Sequence, residues 1–186
     1  MQHNVYLDEI RAWSKHALEK PLKYFNNLPP CPYAEKAWKD KRVDCVIKDT
    51  DNKQVLYTTV SQFPNNLDIV LIVDKKYEKS AKDFHDYLDA MNVAISRGMF
   101  IDKDIWVMGF HPDDEASEYV DDANFCHLTE ESYAIVFVQR LTKLHESADK
   151  LKKRGYYKIY SKEYNADAIF KLRETLYRRL KNGNET

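Results

Sequence analysis

The sequence predicts an α/β (α+β) two-layer sandwich. It would be a mixed, largely antiparallel four- to five-stranded sheet, ferredoxin-like or related, with flanking N- and C-terminal helices. Three observations carry that expectation. Short apolar runs occupy the middle of the chain, at residues 43–48, 68–73, 105–110 and 133–138. Longer stretches with apolar residues every three or four positions lie before, between and after them. The order of these elements lacks the strict strand–helix alternation of an all-parallel sheet, so mixed pairing is expected.

Taken in order, residues 5–20 repeat Tyr6, Ile10, Trp13 and Ala17 at helical spacing, and Pro21 then interrupts the pattern. Asn26, Asn27, Leu28, Pro29 and Pro30 form a loop by composition. Pro32, a residue favoured at the first helical position, opens a short helix over 33–39. In 43–48, Val43, Cys45 and Ile47 alternate with polar residues, the mark of a half-buried strand. Residues 55–63 are ambiguous, and their β-branched content favours strand or extended backbone. The continuous apolar run at 68–73 reads as a central strand.

Residues 80–97 carry the best-marked helix. Ser80 with Asp83 makes a capping pattern, Phe84, Leu88, Met91 and Ile95 form one stripe, and Gly98 ends it. A buried-type strand at 105–110 follows, then a polar loop over 112–132, long enough to suggest function. A strand at 133–138 and helices at 141–151 and 166–181 complete the chain. Trp13, Trp38 and Trp106 fall in apolar patterns and are assigned to the core.

With 186 residues and no repeat, linker or low-complexity tract, the chain reads as one domain over 1–186. A net charge of −1 supplies no chain-wide pull toward nucleic acid or an anionic membrane. The longest apolar run, at residues 69–73, is too short to span a bilayer, and no secretory leader is recognisable. The 3 cysteines, Cys31, Cys45 and Cys126, are widely spaced and suit reduced thiols in a cytoplasmic protein. With only 4 glycines, the chain has no phosphate-cradling loop and no dinucleotide fingerprint, so no cofactor-binding residue is assigned.

Two segments carry residue types suited to chemistry. His111, Asp113 and Asp114 lie where a strand meets a loop, a position from which a histidine and carboxylates can converge on a divalent ion: zinc, iron or manganese. The acidic stretch from Asp113 to Asp122 is either part of such a site or a solvated loop. Cys31 stands at a helix start, where the helix dipole favours a thiolate, or it fills a small apolar gap. Cys126 and His127 are further candidates for a four-ligand zinc site. Lys171, Arg173, Arg178, Arg179 and Lys181 make a basic helix face, read as solvated, with anion or partner binding as the alternative.

The string His111-Pro112-Asp113-Asp114-Glu115 resembles the metal motif of the zinc-dependent glucosaminyl de-N-acetylases. That resemblance implies zinc on His111 and Asp114, with Asp113 as general base. The family's glycine-rich continuation and later His-x-x-His pair have no counterpart in this sequence. Cys31-Pro32-Tyr33-Ala34 is similar to the C-P-Y-C motif of glutaredoxins, and Ala34 in place of the second cysteine implies at most monothiol chemistry. Asn27-Leu28, Cys31-Pro32-Tyr33-Ala34 and Phe110-His111-Pro112-Asp113 together resemble an uncharacterised bacterial family with N-L-C-P-F-A and F-H-P-D-Y motifs. That resemblance implies a shared fold and pocket, and no activity.

If the two motifs meet, Cys31 and His111 face each other with Asp113 or Asp114 beside them. The group is then either a thiolate–imidazole pair or a Cys/His/Asp metal site. The expectation is a thiol- or metal-dependent small-molecule enzyme with Cys31, His111 and Asp113 catalytic and His111 and Asp114 as ligands. The alternative is a non-catalytic accessory protein that binds a protein partner. A zinc deacetylase-like hydrolase ranks third.

Overall fold

The computed structural model describes residues 5–51, 54–77, 79–100, 103–114, 133–160 and 166–183. It contains a four-stranded mixed sheet with strands β1 (Val43–Lys48), β2 (Ile69–Asp74), β3 (Trp106–Phe110) and β4 (Ala134–Gln139), ordered β1-β2-β4-β3. β1 runs parallel to β2, and β4 runs antiparallel to both β2 and β3. The α/β sandwich with a mixed sheet and flanking helices is therefore as expected. The long loop at 112–132, Cys126 and His127 lie largely or wholly outside the described residues.

Seven α-helices accompany the sheet among the described residues. They are α1 (Val5–Trp13), α2 (Ala34–Lys39), α3 (Gln54–Ser61), α4 (Ala81–Ser96), α5 (Leu141–Lys153), α6 (Tyr157–Tyr160) and α7 (Ala166–Gly183). They cover both faces of the sheet. Ile69, Leu71, Val73 and Ile135 meet Ile10, Trp13 and Ala37 of the N-terminal helices. The alternate residues Val70, Ile72, Val136 and Val138 meet Leu56, Val60, Phe84, Leu88 and Leu176 from α3, α4 and α7. Coverage on both sides explains why β2 is apolar from Ile69 to Val73: each side chain has a buried face to enter.

The first helix is interrupted. After Trp13 it widens into a π-helical turn over Ser14–Leu18, closed by Glu19 N–H donating to Ser14 O at 3.1 Å. The wider turn brings the Glu19 carboxylate to the Ser14 hydroxyl, which donates at 2.9 Å and also accepts from Trp38 Nε1 at 3.1 Å. Arg11 pairs with the same carboxylate.

Residues 55–63 depart from the extended expectation, because Gln54–Ser61 is helical. Leu56 and Val60, four apart, both enter the core, and Thr59 Oγ1 satisfies itself on Val55 O at 2.8 Å. Burial of that stripe outweighs the weak β preference of valine and threonine.

The two sheet edges are closed by side chains. On β1, Asp44 Oδ1 accepts the Cys45 N–H at 2.8 Å, placing a carboxylate over the open edge. On β3, the buried Asn92 of α4 donates to Val107 O at 2.7 Å and accepts Val107 N–H at 3.0 Å, taking the part of a missing strand. Gly109 permits this approach: a Cβ there would lie 2.5 Å from the Phe84 ring and 2.6 Å from Leu88 Cδ1. Helix α4 is thereby locked to β3, just ahead of His111.

Candidate functional site

Because β4 opposes both β2 and β3, and β1 is parallel to β2, three of the four strands point the same way. Their carboxyl ends, and the segments that follow them, gather at one end of the sheet. In open α/β sheets that end is where ligands bind. His111 stands there, one residue past β3.

The segment after Phe110 folds into a turn closed by its own side chains. His111 N–H donates to Asp114 Oδ2 at 2.7 Å, and Asp114 N–H returns to His111 O at 3.0 Å. Asp113 N–H donates to His111 Nδ1 at 3.1 Å. The imidazole is 3% exposed and packs edge-on against Tyr77 and tilted against Phe84, both at 5.6 Å between ring centroids. Asp113 turns outward, 82% exposed, with Oδ2 3.8 Å from His111 Nδ1.

Asp114 has a second partner that the sequence did not announce. Its Oδ1 lies 2.7 Å from Nε2 of His85 on α4. This hydrogen bond raises the His85 pKa against the opposing effect of desolvation, and the Asp114, Asp89 and Asp86 charges add to the rise. One carboxylate therefore holds the turn backbone and makes a half-exposed imidazole more basic.

Polar groups also mark the end of β2, the segment after it and the neighbouring turn of α4. Asp74, the last residue of β2, accepts Lys48 Nζ at 2.8 and 2.7 Å on its two oxygens and Lys76 N–H at 3.1 Å. Burial raises the Tyr77 pKa, helped by Asp83 and Asp74, and its hydroxyl is buried without a hydrogen-bond partner among the described residues. Tyr87 is pushed up to about 12, chiefly by burial and then by Tyr57, Tyr77 and Asp74.

Cys31 is elsewhere. Its N–H donates to Leu18 O at 2.9 Å, and its neighbour Tyr33 lies against Asp68, the residue before β2, which pairs with Arg42 at 2.7 Å. That is the opposite end of β2 from His111, about 17 Å along the strand. It is also the opposite face, since Tyr33 packs with α1 whereas His111 packs with α4. Burial pushes the Cys31 thiol pKa up and the Glu19 charge adds to it, while backbone hydrogen bonds from Ala34 and Tyr33 pull it down less strongly. Cys31 and His111 do not share a site.

The donor set also fits a zinc ion poorly. Both Asp114 oxygens are engaged, by His111 N–H and by His85, and His111 Nδ1 already accepts from Asp113 N–H. Among the described residues no three His, Cys, Asp or Glu side chains converge as ligands.

Sequence reasoning reached His111, Asp113 and Asp114 but missed His85, Asp74, Lys48 and Tyr77. His85 follows Phe84 of the apolar stripe, so it flanks the buried face of its helix. Asp74 closes an otherwise apolar run. Those two positions were the available signals.

Fold and site thus describe an α/β protein with a charged cluster at its strand ends. The chain matches no family model, no curated protein and no solved structure.

Proposed function

We propose that the strand-end cluster is a small-molecule enzyme site working by proton transfer, with His85 as its acid–base group. The observation that carries this is the fixed His85–Asp114 pair at 2.7 Å. Asp114 is oriented by His111 N–H, and it in turn orients the imidazole through Nε2, leaving Nδ1 to exchange a proton with substrate. His111 then acts as a positioning residue, because its backbone fixes Asp114 and its ring fills the space beside Tyr77. The Tyr77 hydroxyl, buried without a hydrogen-bond partner among the described residues, is suited to hydrogen-bond a bound molecule.

This reading keeps His111, Asp113 and Asp114 at the site and replaces Cys31 with His85. A cytoplasmic location belongs to the same proposal, because the 3 cysteines are an odd number at wide spacings, unlike a disulfide framework.

A thermal-shift screen of polar metabolites tests the reading. The expected result is a compound that stabilises the wild type and Cys31→Ser but not His85→Ala or Asp114→Asn. Stabilisation that survives His85→Ala and disappears in Cys31→Ser would overturn it, as would the absence of any stabilising compound.

A further inference from the structure

Charge is unevenly divided along the chain. Residues 141–186 hold 12 Lys and Arg against 6 Asp and Glu, a net of +6; subtracting this from the total of −1 leaves −7 for residues 1–140. Within the basic part, residues 150–158 contain no acid, and neither do residues 20–34 near the other end of the sequence.

The fold brings these two acid-free segments together. Leu22 and Leu28 bridge a short loop in which Asn26 and Asn27 both take φ of 57°. Phe25 stacks on Tyr156 at 4.8 Å, and Tyr24, Phe25 and Tyr156 form a small buried cluster with Leu151 beside it. Asn26 Nδ2 donates to Arg154 O at 2.9 Å, and the Tyr156 hydroxyl donates to Pro30 O. The junction is therefore held in one shape before any partner arrives.

Its cations face solvent. Lys23, Lys150, Lys152, Lys153, Arg154 and Lys158 are all exposed, and among the described residues none pairs with a carboxylate. Lys150, Lys153 and Arg154 share one face of the last turn of α5 and its exit. Basic residues commonly complement the carbonyl end of a helix, which accounts for some of these. It does not account for Lys23 and Lys158, which lie outside that helix on the two segments that the Phe25–Tyr156 stack joins.

We propose that this surface binds the phosphodiester backbone of a nucleic acid. A polyanion with closely spaced phosphates matches six exposed cations carried on one fixed junction, with no acid in either segment. An anionic membrane is the less suitable partner, because among the described residues none of the exposed large apolar side chains (Val5, Val46, Ile47, Tyr57, Tyr87, Met99, Met108) lies in the two segments to insert among lipids. The aromatic rings of the junction are turned inward, so the contact would carry little base specificity. This inference is independent of the acid–base reading of the strand-end cluster.

The experiment is fluorescence anisotropy of a short labelled DNA duplex and a labelled RNA strand with the full chain. If about four of the six cations reach phosphates, the log–log salt slope is about −3.6. Affinity then falls roughly 150-fold between about 50 and about 200 mM salt. Lys152→Glu with Lys153→Glu should weaken binding at least roughly tenfold and flatten the slope, with an unchanged circular dichroism spectrum; Lys82→Glu, in the first turn of α4 and outside both segments, should change neither. The proposal is overturned if neither nucleic acid binds at low salt, or if the double variant binds like the wild type. It is equally overturned if phosphatidylserine vesicles bind and both nucleic acids fail.

Discussion

Asn92 is the side chain whose removal gives the sharpest test of how the site is held. It is 2% exposed and makes two hydrogen bonds to one residue, 2.7 Å to Val107 O and 3.0 Å from Val107 N–H. Val107 is itself buried, so Asn92→Ala strands a backbone donor and acceptor away from water. Each stranded group costs about 1–3 kcal/mol, so the total is about 4 kcal/mol, a large share of the 5–15 kcal/mol typical of a domain. With a urea m-value of about 2 kcal/mol/M, the unfolding midpoint drops by about 2 M at unchanged slope. Asn92→Leu separates hydrogen bonding from packing. It restores apolar volume but leaves Val107 unpaired, so it should lose nearly as much as the alanine variant. A leucine variant whose midpoint stays within about 0.3 M of wild type, well under the expected drop of about 2 M, would refute the edge-pairing argument.

Four further outcomes follow from named contacts. Gly109→Ala forces a methyl into Phe84 and Leu88 and should cost about 1–3 kcal/mol by chemical denaturation, with partial recovery when Phe84→Leu is added. Asp114→Asn should lower the His85 pKa toward the ordinary value of about 6.5 in an NMR titration. Because the folded pKa of His85 is raised, the pair stabilises the fold fully below that ordinary value and loses its effect as pH rises through the folded one. The stability gap between wild type and Asp114→Asn should therefore be wider near about pH 6 than near about pH 9, and a gap that widens with pH would refute the assignment. Asp44→Ala uncovers the Cys45 N–H on the β1 edge and should increase concentration-dependent self-association in sedimentation runs. Alkylation of Cys31 should require pH above the usual thiol range of about 8.5 and should be unchanged by His111→Ala.

Much of the fold was legible because it rests on local pattern. The Ser80 cap, with its hydroxyl accepting Asp83 N–H at 3.2 Å, and the stripe from Phe84 to Ile95 needed only spacing along one helix. The apolar run of β2 needed only the rule that a strand covered on both faces has no polar side. The helix Gln54–Ser61 was not legible, because residues 55–63 are ambiguous by pattern and their β-branched content favours extended backbone, while the burial of Leu56 and Val60 that makes it helical depends on the sheet beneath.

The site divides along the same line. By itself the sequence determined that a histidine and two aspartates stand where a strand ends, and that a cysteine stands where a helix begins. Only the tertiary structure decided which of them meet. The direction of β3 relative to β2, set through their shared neighbour β4, carries His111 to the end of the sheet away from Cys31. The packing of α4 across Gly109 delivers His85 to Asp114, 29 residues away in sequence. Strand order and helix docking are long-range choices made by the whole core, and no stretch of a few residues encodes them.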